Sequence, residues 1–240
     1  MKEWFKMEIN KYEINAGLEK GLRAAVVSDL HSSPFCELQK RISELSPDLI
    51  LCPGDMIHRA DPKEKGIDFL FETAKKYPVF CSLGNHEVKH GTDVREAIRA
   101  SGAILLDNEW TGFGEIAVGG LSTGYAIDEK QGRCKETPPP NVGALDGFFK
   151  ENRFKILLSH HPEYYVKYLA DKNVDLVLSG HAHGGQWRIF GRGIFAPGQG
   201  IFPKYTSGFY GKMLVSRGLA NNVKIPRIFN KPELIILDLK

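Results

Sequence analysis

A chain of 240 residues, 42% apolar and 25% charged, has enough apolar content for a sizeable α/β core, and residues 1–240 are read as a single domain. Thirty-two basic against 29 acidic side chains leave a net charge of +3, too weak a bias to expect a nucleic-acid partner. No run approaches the ~18–20 apolar residues of a membrane span, residues Met1 to Glu8 hold no signal-peptide core, and Cys36, Cys52, Cys81 and Cys134 form no C-x-x-C pair, so a reducing, cytoplasmic setting is expected.

Phe5, Met7 and Ile9 alternate with Lys6, Glu8 and Asn10, which predicts an edge strand with one wet face. The run Ala24 to Ser28 is a buried strand that ends in Asp29-Leu30-His31. Helical spacing of Phe35, Leu38, Ile42 and Leu45 follows over 34–45, and Leu49 to Pro53 is a second strand ending in Gly54-Asp55. Residues 62–76 repeat the helical spacing with Ile67, Leu70, Phe71 and Ala74. Val79 to Leu83 ends in Gly84-Asn85-His86-Glu87, and 92–100 predicts a third helix with Thr92 as its N-cap. Strand and helix in alternation argue for a largely parallel sheet with helices outside.

The second half reads differently. Short strands are expected at 104–106, 116–121, 188–190, 212–216 and 234–239, with glycine-rich links, and a second sheet packed on the first is the natural arrangement. Two strands there also end in histidine: Ile156 to Ser159 runs into His160-His161-Pro162, and Val177 to Ser179 into Gly180-His181-Ala182-His183-Gly184. A fourth helix is expected over 163–170. Two stretches read as long loops, 123–147 with Pro138-Pro139-Pro140, which could act as a lid, and 184–211. Seven aromatics of the second loop (Trp187, Phe190, Phe195, Phe202, Tyr205, Phe209, Tyr210) are expected to pack a loop layer, with an acyl-chain rim as the alternative.

Asp29, His31, Asp55, Asn85, His86, His160, His181 and His183 therefore all fall at strand ends, the edge of an α/β sheet where ligands bind. Singly, each has a plainer explanation: Gly54-Asp55 as a turn or helix cap, Gly84-Asn85 as a turn pair, His160 as a satisfied strand-end histidine. Jointly they make a mixed nitrogen and oxygen donor set that suits Mn, Fe, Zn or Ni and, lacking cysteine, argues against a structural zinc. Seven such donors exceed the needs of one ion and suit two that share a carboxylate. His58 and His90 are expected to be solvated loop residues, His161 to lie behind the donors or at the surface, and Glu87 either to orient His86 or to be exposed.

The ordered set D-x-H, G-D, G-N-H-E, H and G-H-x-H resembles the calcineurin-like metallophosphoesterase superfamily over Asp29 to His183. The form G-H-x-H-G-G-Q with the late Pro232-Glu233-Leu234 further resembles its bacterial YaeI-like and YkuE-like phosphodiesterase branch. Ala182 stands where that branch often has Thr, and Val88-Lys89-His90-Gly91 is less aromatic than in many relatives; neither change touches a donor. The resemblance implies a two-layer βαβ sandwich of two mixed sheets flanked by helices. It implies two divalent ions, manganese first and iron, zinc or nickel as alternatives, one on Asp29, His31, Asp55 and His183. The other would sit on Asp55, Asn85, His160 and His181, with Asp55 shared. It implies in-line attack on phosphorus by the water between the ions, with His86 assisting the leaving oxygen. The expected substrate is a phosphodiester or other small phosphate ester. The alternative is the pyrophosphate of a lipid-linked nucleotide such as UDP-diacylglucosamine, with peripheral membrane contact but no transmembrane segment. A non-catalytic interaction module ranks last because every donor is retained.

Overall fold

The computed structural model describes residues 7–58, 64–90, 92–124, 138–196, 199–221 and 226–240. In chain order its elements are β1 (Glu8–Ile14), β2 (Leu22–Val26), α1 (Cys36–Leu45), β3 (Leu49–Cys52), α2 (Glu64–Ala74), β4 (Val79–Cys81), α3 (Asn85–Val88), α4 (Thr92–Ala100), β5 (Ile104–Leu105), β6 (Glu109–Phe113) and β7 (Ile116–Leu121). There follow α5 (Asp146–Phe149), β8 (Phe154–Ser159), α6 (Pro162–Tyr164), β9 (Leu176–Ser179), β10 (Arg188–Ile189), β11 (Arg192–Gly193), β12 (Phe195–Ala196), β13 (Gly200–Ile201), β14 (Gly208–Tyr210), β15 (Met213–Val215) and β16 (Glu233–Leu239).

Two six-stranded mixed sheets face each other, ordered β1-β16-β2-β3-β4-β5 and β14-β15-β9-β8-β7-β6. Alternation within the apolar runs decides which side chains meet. Ala24 and Val26, Leu49 and Leu51, Phe80, Ile235 and Leu237 of the first sheet point at Ile116, Val118, Ile156, Leu158, Leu176, Leu178 and Leu214 of the second. Their odd-even partners point outward: Ala25, Ile50 and Cys81 pack under α1, α2 and α4, while Ala117, Leu157 and Val177 pack under Leu145, Phe148 and Tyr164. With both faces covered, the central strands need apolar residues at every position, which is why they read as continuous runs.

The expected α/β sandwich of two mixed sheets flanked by helices is the observed one, with corrections of detail. The strand over 234–239 does not extend the second sheet. It inserts into the first, parallel to β1 and antiparallel to β2. The strand expected over 104–106 also closes the first sheet, as β5 on β4. Thr92 is the first residue inside α4 rather than its N-cap. The helix expected over 163–170 is a single α turn followed by a π-helical stretch, Tyr165–Leu169. Most of the 123–147 loop, and Cys134 with it, lies outside the described residues; the part from 142 folds into a 3-10 turn and α5. No described helix is long and apolar enough to cross a membrane.

Because Leu158 is wholly buried between the sheets, Leu158→Ala is expected to cost about 2–5 kcal/mol, seen as a lower urea midpoint with an unchanged slope. A loss below about 1 kcal/mol would contradict the inter-sheet packing.

Candidate metal centre

The five strand ends singled out in the sequence belong to two sheets: β2, β3 and β4 in the first, β8 and β9 in the second. Their carboxyl ends meet along one shared edge. Gly180 N–H donates to the His160 carbonyl at 3.0 Å, and Thr123 N–H to the Leu83 carbonyl at 3.0 Å, which ties the second sheet to the loop that carries Asn85. The expected single-sheet edge is thus a seam between sheets, and the donor set draws from both.

Sharp turns aim the side chains into the seam. Asp29, His31, Asp55, His181 and His183 all adopt left-handed backbone conformations, with φ between 46° and 64°. Such φ values are uncommon outside glycine, and five on one constellation mark backbone strain held in place by its surroundings. Part of that support is backbone pairing between the first two turns: His31 N–H to the Asp55 carbonyl at 3.0 Å and Ser32 N–H to the Met56 carbonyl at 3.0 Å. Glycines appear where the carboxylates press closest. A Cβ on Gly84 would overlap Asp55 Oδ1, and one on Gly180 would overlap Asp29 Oδ2.

The donors converge as follows. His31 Nε2 lies 3.8 Å from Asp29 Oδ1, 3.7 Å from Asp55 Oδ2 and 3.3 Å from His183 Nε2, and His183 Nε2 lies 3.5 Å from Asp29 Oδ1. His160 Nε2 is 3.2 Å from Asp55 Oδ2, and His86 Nε2 is 3.8 Å from the same oxygen. Three sets of ligand atoms are close enough to hold an ion: Asp29, His31 and His183; Asp55, His160 and His181; and His31, Asp55 and His86. Asn85 is placed by α3, whose first residue it is, and its buried Oδ1 receives no hydrogen bond. All the other residues of the constellation are buried.

The fit to divalent ions rests on three features. First, donor atoms 3.3–3.8 Å apart match the roughly 3.4 Å edge of a tetrahedron around an ion at ~2.1 Å. Second, Asn85 Oδ1 and His160 Nδ1 are buried without hydrogen bonds, and His160 Nε2 faces only Asp55 Oδ2 at 3.2 Å and Asp29 Oδ1 at 3.9 Å. Buried polar atoms left so are costly unless something else engages them. Third, two anions are buried side by side. Burial alone would raise both carboxyls, yet His183, His31 and His160 around Asp29 and His160, His86 and His31 around Asp55 hold both well below the usual range.

The imidazoles divide accordingly. Burial, reinforced by neighbouring histidines, pushes His86, His181 and His183 down to about 3, so they are neutral and able to ligate. His160 is the exception. Burial would lower it, but Asp55 and Asp29 prevail and raise it to about 9.

Several neighbours differ from expectation. Glu87 is neither exposed nor aimed at the His86 ring. It is buried and takes N–H bonds from Asp55 at 2.9 Å, Gly84 at 2.9 Å and Ile57 at 3.1 Å, clamping the Asp55 and Asn85 turns together. Burial and nearby Asp55 raise its pKa to about 7. His58, expected to be solvated, faces the site at 5.1 Å from the His86 ring and 5.7 Å from His31. His161 is buried, its ring 4.0 Å from His181 and behind it rather than among the donors. Arg227, Asn230 and Glu233 also support the site. Arg227 Nη2 lies 3.2 Å from His183 Nδ1, Asn230 Nδ2 donates to the His183 carbonyl at 2.7 Å, and buried Glu233 accepts from Arg217 N–H at 2.8 Å. Only Glu233 carried a signal, as part of Pro232-Glu233-Leu234.

The calcineurin-like phosphoesterase profile matches residues 22–185, from β2 through the turn that bears His181 and His183. The chain belongs to that family. The metallophosphoesterase Cj0846 of Campylobacter jejuni is 30% identical over 234 residues, a match covering 93% of this chain and 60% of the relative. This chain therefore spans about 60% of that relative's length. Phosphodiesterase YaeI of Escherichia coli is 27% identical, covering 98% of this chain and 88% of its own. UDP-2,3-diacylglucosamine pyrophosphatase LpxG of Chlamydia muridarum is 28% identical, covering 90% and 83%. The matched segment contains every residue of the buried Asp and His cluster.

Metal binding requires a neutral imidazole, and His160 is protonated in the metal-free protein below about 9. Manganese is therefore expected to displace about one proton per chain, with affinity falling as pH drops below about 9 and level above it. Calorimetry in buffers of different ionisation enthalpy measures this directly; binding without proton release at neutral pH would contradict the His160 assignment.

Proposed function

We propose that this chain is a binuclear metal-dependent phosphodiesterase. The observation that carries the reading is the convergence at one buried seam of seven donors and His86, with the Asn85 and His160 atoms left without hydrogen bonds. Asp29, His31 and His183 would hold one ion and His160, His181 and Asn85 the other, with Asp55 between them. Ions there would supply Lewis acidity, lowering the pKa of water and neutralising phosphoryl oxygens.

The protein's own groups do the rest. Asp55 is fixed on both sides, its Oδ1 accepting His86 N–H at 2.9 Å and its own N–H held by Glu87. That leaves Oδ2 turned to His31, His86 and His160. The same contact locks the α3 backbone that carries His86. From there the His86 imidazole would donate to a phosphoryl oxygen and assist departure of the ester oxygen. His58, beside His86, would line the substrate side.

The second reading is a lipid-nucleotide pyrophosphatase, the activity that LpxG's name states. The exposed phenylalanines that follow the His183 turn favour it, because a lipid-linked substrate needs apolar contact beyond the phosphates. A non-catalytic module gains nothing from retaining His86 with every donor. Manganese as the resident ion, which the family resemblance implies first among Mn, Fe, Zn and Ni, and a cytoplasmic setting, expected from the cysteine pattern, belong to the same proposal.

Chelator-stripped protein reloaded with Mn, Fe, Zn or Ni is expected to hydrolyse bis-p-nitrophenyl phosphate in preference to p-nitrophenyl phosphate. His86→Ala should lower turnover roughly 10²–10³-fold, and Asp55→Asn should abolish it. Wild-type turnover in both variants would sink the proposal, while activity confined to a detergent-dispersed lipid pyrophosphate would select the second reading.

A further inference from the structure

The segment after His183 was expected to bury its aromatics in a loop layer. Tyr205 and Tyr210 are only half-buried, their rings meeting edge to face at 5.1 Å, and Phe209 meets the Tyr12 ring at 5.3 Å. Phe190 is 101% exposed, Phe229 86%, Phe202 76% and Ile201 72%, and Trp187, Ile189, Phe195 and Ile228 are also exposed. Isolated exposed apolar residues need no explanation; a cluster of large ones does.

These side chains hang from one hydrogen-bonded unit. Phe190 forms the tip of the β10–β11 hairpin. Ile194 N–H donates to the Trp187 carbonyl at 2.8 Å, and Phe202 N–H to the Ile194 carbonyl at 2.8 Å. Trp187 pairs with Ile228, and Arg188 N–H donates to the Ile228 carbonyl at 3.0 Å, which brings Phe229 to the same unit. Asn230 anchors the unit to the metal seam through the carbonyls of His183 and Gln186.

Backbone conformation adds a second observation. Phe190, Phe202 and Phe229 all have left-handed φ, between 48° and 54°. Glycine or asparagine suits such positions and a bulky aromatic does not. Neither local preference nor packing against the described residues explains three phenylalanines there, whereas contact with a surface outside the chain would.

Charge identifies the partner. From Gly184 to Pro232 the chain has eight basic residues and no acidic one, whereas the whole chain is only +3, so the rest is net negative. Some of these cations are engaged: Arg217 pairs with Glu8 and Glu233, and Lys231 with Glu8. Arg192 and Lys204 are exposed, one beside the Phe190 tip and one two residues past Phe202, and neither makes an ion pair with another described residue. Lys204 Nζ lies 5.3 Å from the centre of the Tyr205 ring. Aromatic tips flanked by cations without carboxylate partners match the boundary of an anionic lipid layer, where rings enter the acyl border and cations meet headgroup charge.

We propose that the unit formed by residues 187–196 and 199–202, with Phe229, docks the protein on an anionic lipid surface, bringing the metal seam to the headgroup layer. The proposal stands apart from the catalytic reading, because binding needs neither metal nor turnover.

The test is sedimentation of the full chain with vesicles of phosphatidylcholine alone or mixed with phosphatidylglycerol, with a lipid-free control. Wild type is expected to sediment with the anionic vesicles and to be released by salt. The pairs Phe190→Ser with Phe202→Ser, and Arg192→Glu with Lys204→Glu, should each lower partitioning at least about tenfold, with the thermal midpoint unchanged. Wild type left in the supernatant, aromatic variants that bind as well as wild type, or concentration-dependent dimerisation through these residues without lipid would each overturn it.

Discussion

Two carboxylates, Asp29 and Asp55, lie buried in a seam almost closed to water, and their charge is the constraint around which the rest is arranged. An unpaired buried anion is prohibitively costly. Here every neighbouring device offsets that cost. Imidazoles surround both groups, Asp29 accepts His181 N–H at 3.2 Å, and Asp55 accepts His86 N–H at 2.9 Å. The metal-free protein goes as far as raising one imidazole, His160, to about 9. A proton on His160 balances only part of the charge. Divalent cations would complete the balance, which is why the cluster suits a metal centre better than a salt-bridge network.

Holding such a cluster demands unfavourable backbone. Five of the proposed ligands sit in left-handed turns, and each turn is braced by a contact from another element. Glu87 ties the Asp55 turn to the Asn85 turn. The segment after β15 braces the Asp29 turn, with Leu219 N–H on the Ser28 carbonyl at 3.1 Å and Ala220 N–H on the Asp29 carbonyl at 2.9 Å. Glu233 in turn steadies that segment through Arg217. The late strand β16 thus serves the site twice: it fills the first sheet between β1 and β2, and it presents Glu233 to the brace behind Asp29.

All eight residues singled out along the chain meet at the seam because their signal is local. An apolar run followed at once by Gly, Asp, Asn or His is visible without knowing the fold, and in an α/β layer strand ends share one edge. The helices over 36–45 and 64–74 were legible for the same reason, through i, i+3, i+4 spacing. What escaped depends on pairing between distant segments. Nothing in Leu234 to Leu239 says that its partners are β1 and β2, so its sheet could not be assigned. Glu87 and His58 were open because exposure of a loop residue depends on what packs over it, and here Ile57 and His86 do. The phenylalanines of 190–202 were misjudged in the opposite sense: their apolarity argued for burial, and burial within this chain is what the short hairpins do not provide.

The central claim is that Asp55 stands between two ions at the seam. Anomalous diffraction at the manganese edge from crystals grown with that metal tests it most directly. The account predicts two peaks roughly 3.5–4 Å apart on either side of Asp55, one among Asp29, His31 and His183, the other among Asn85, His160 and His181. A single peak, or peaks away from Asp55, would contradict it.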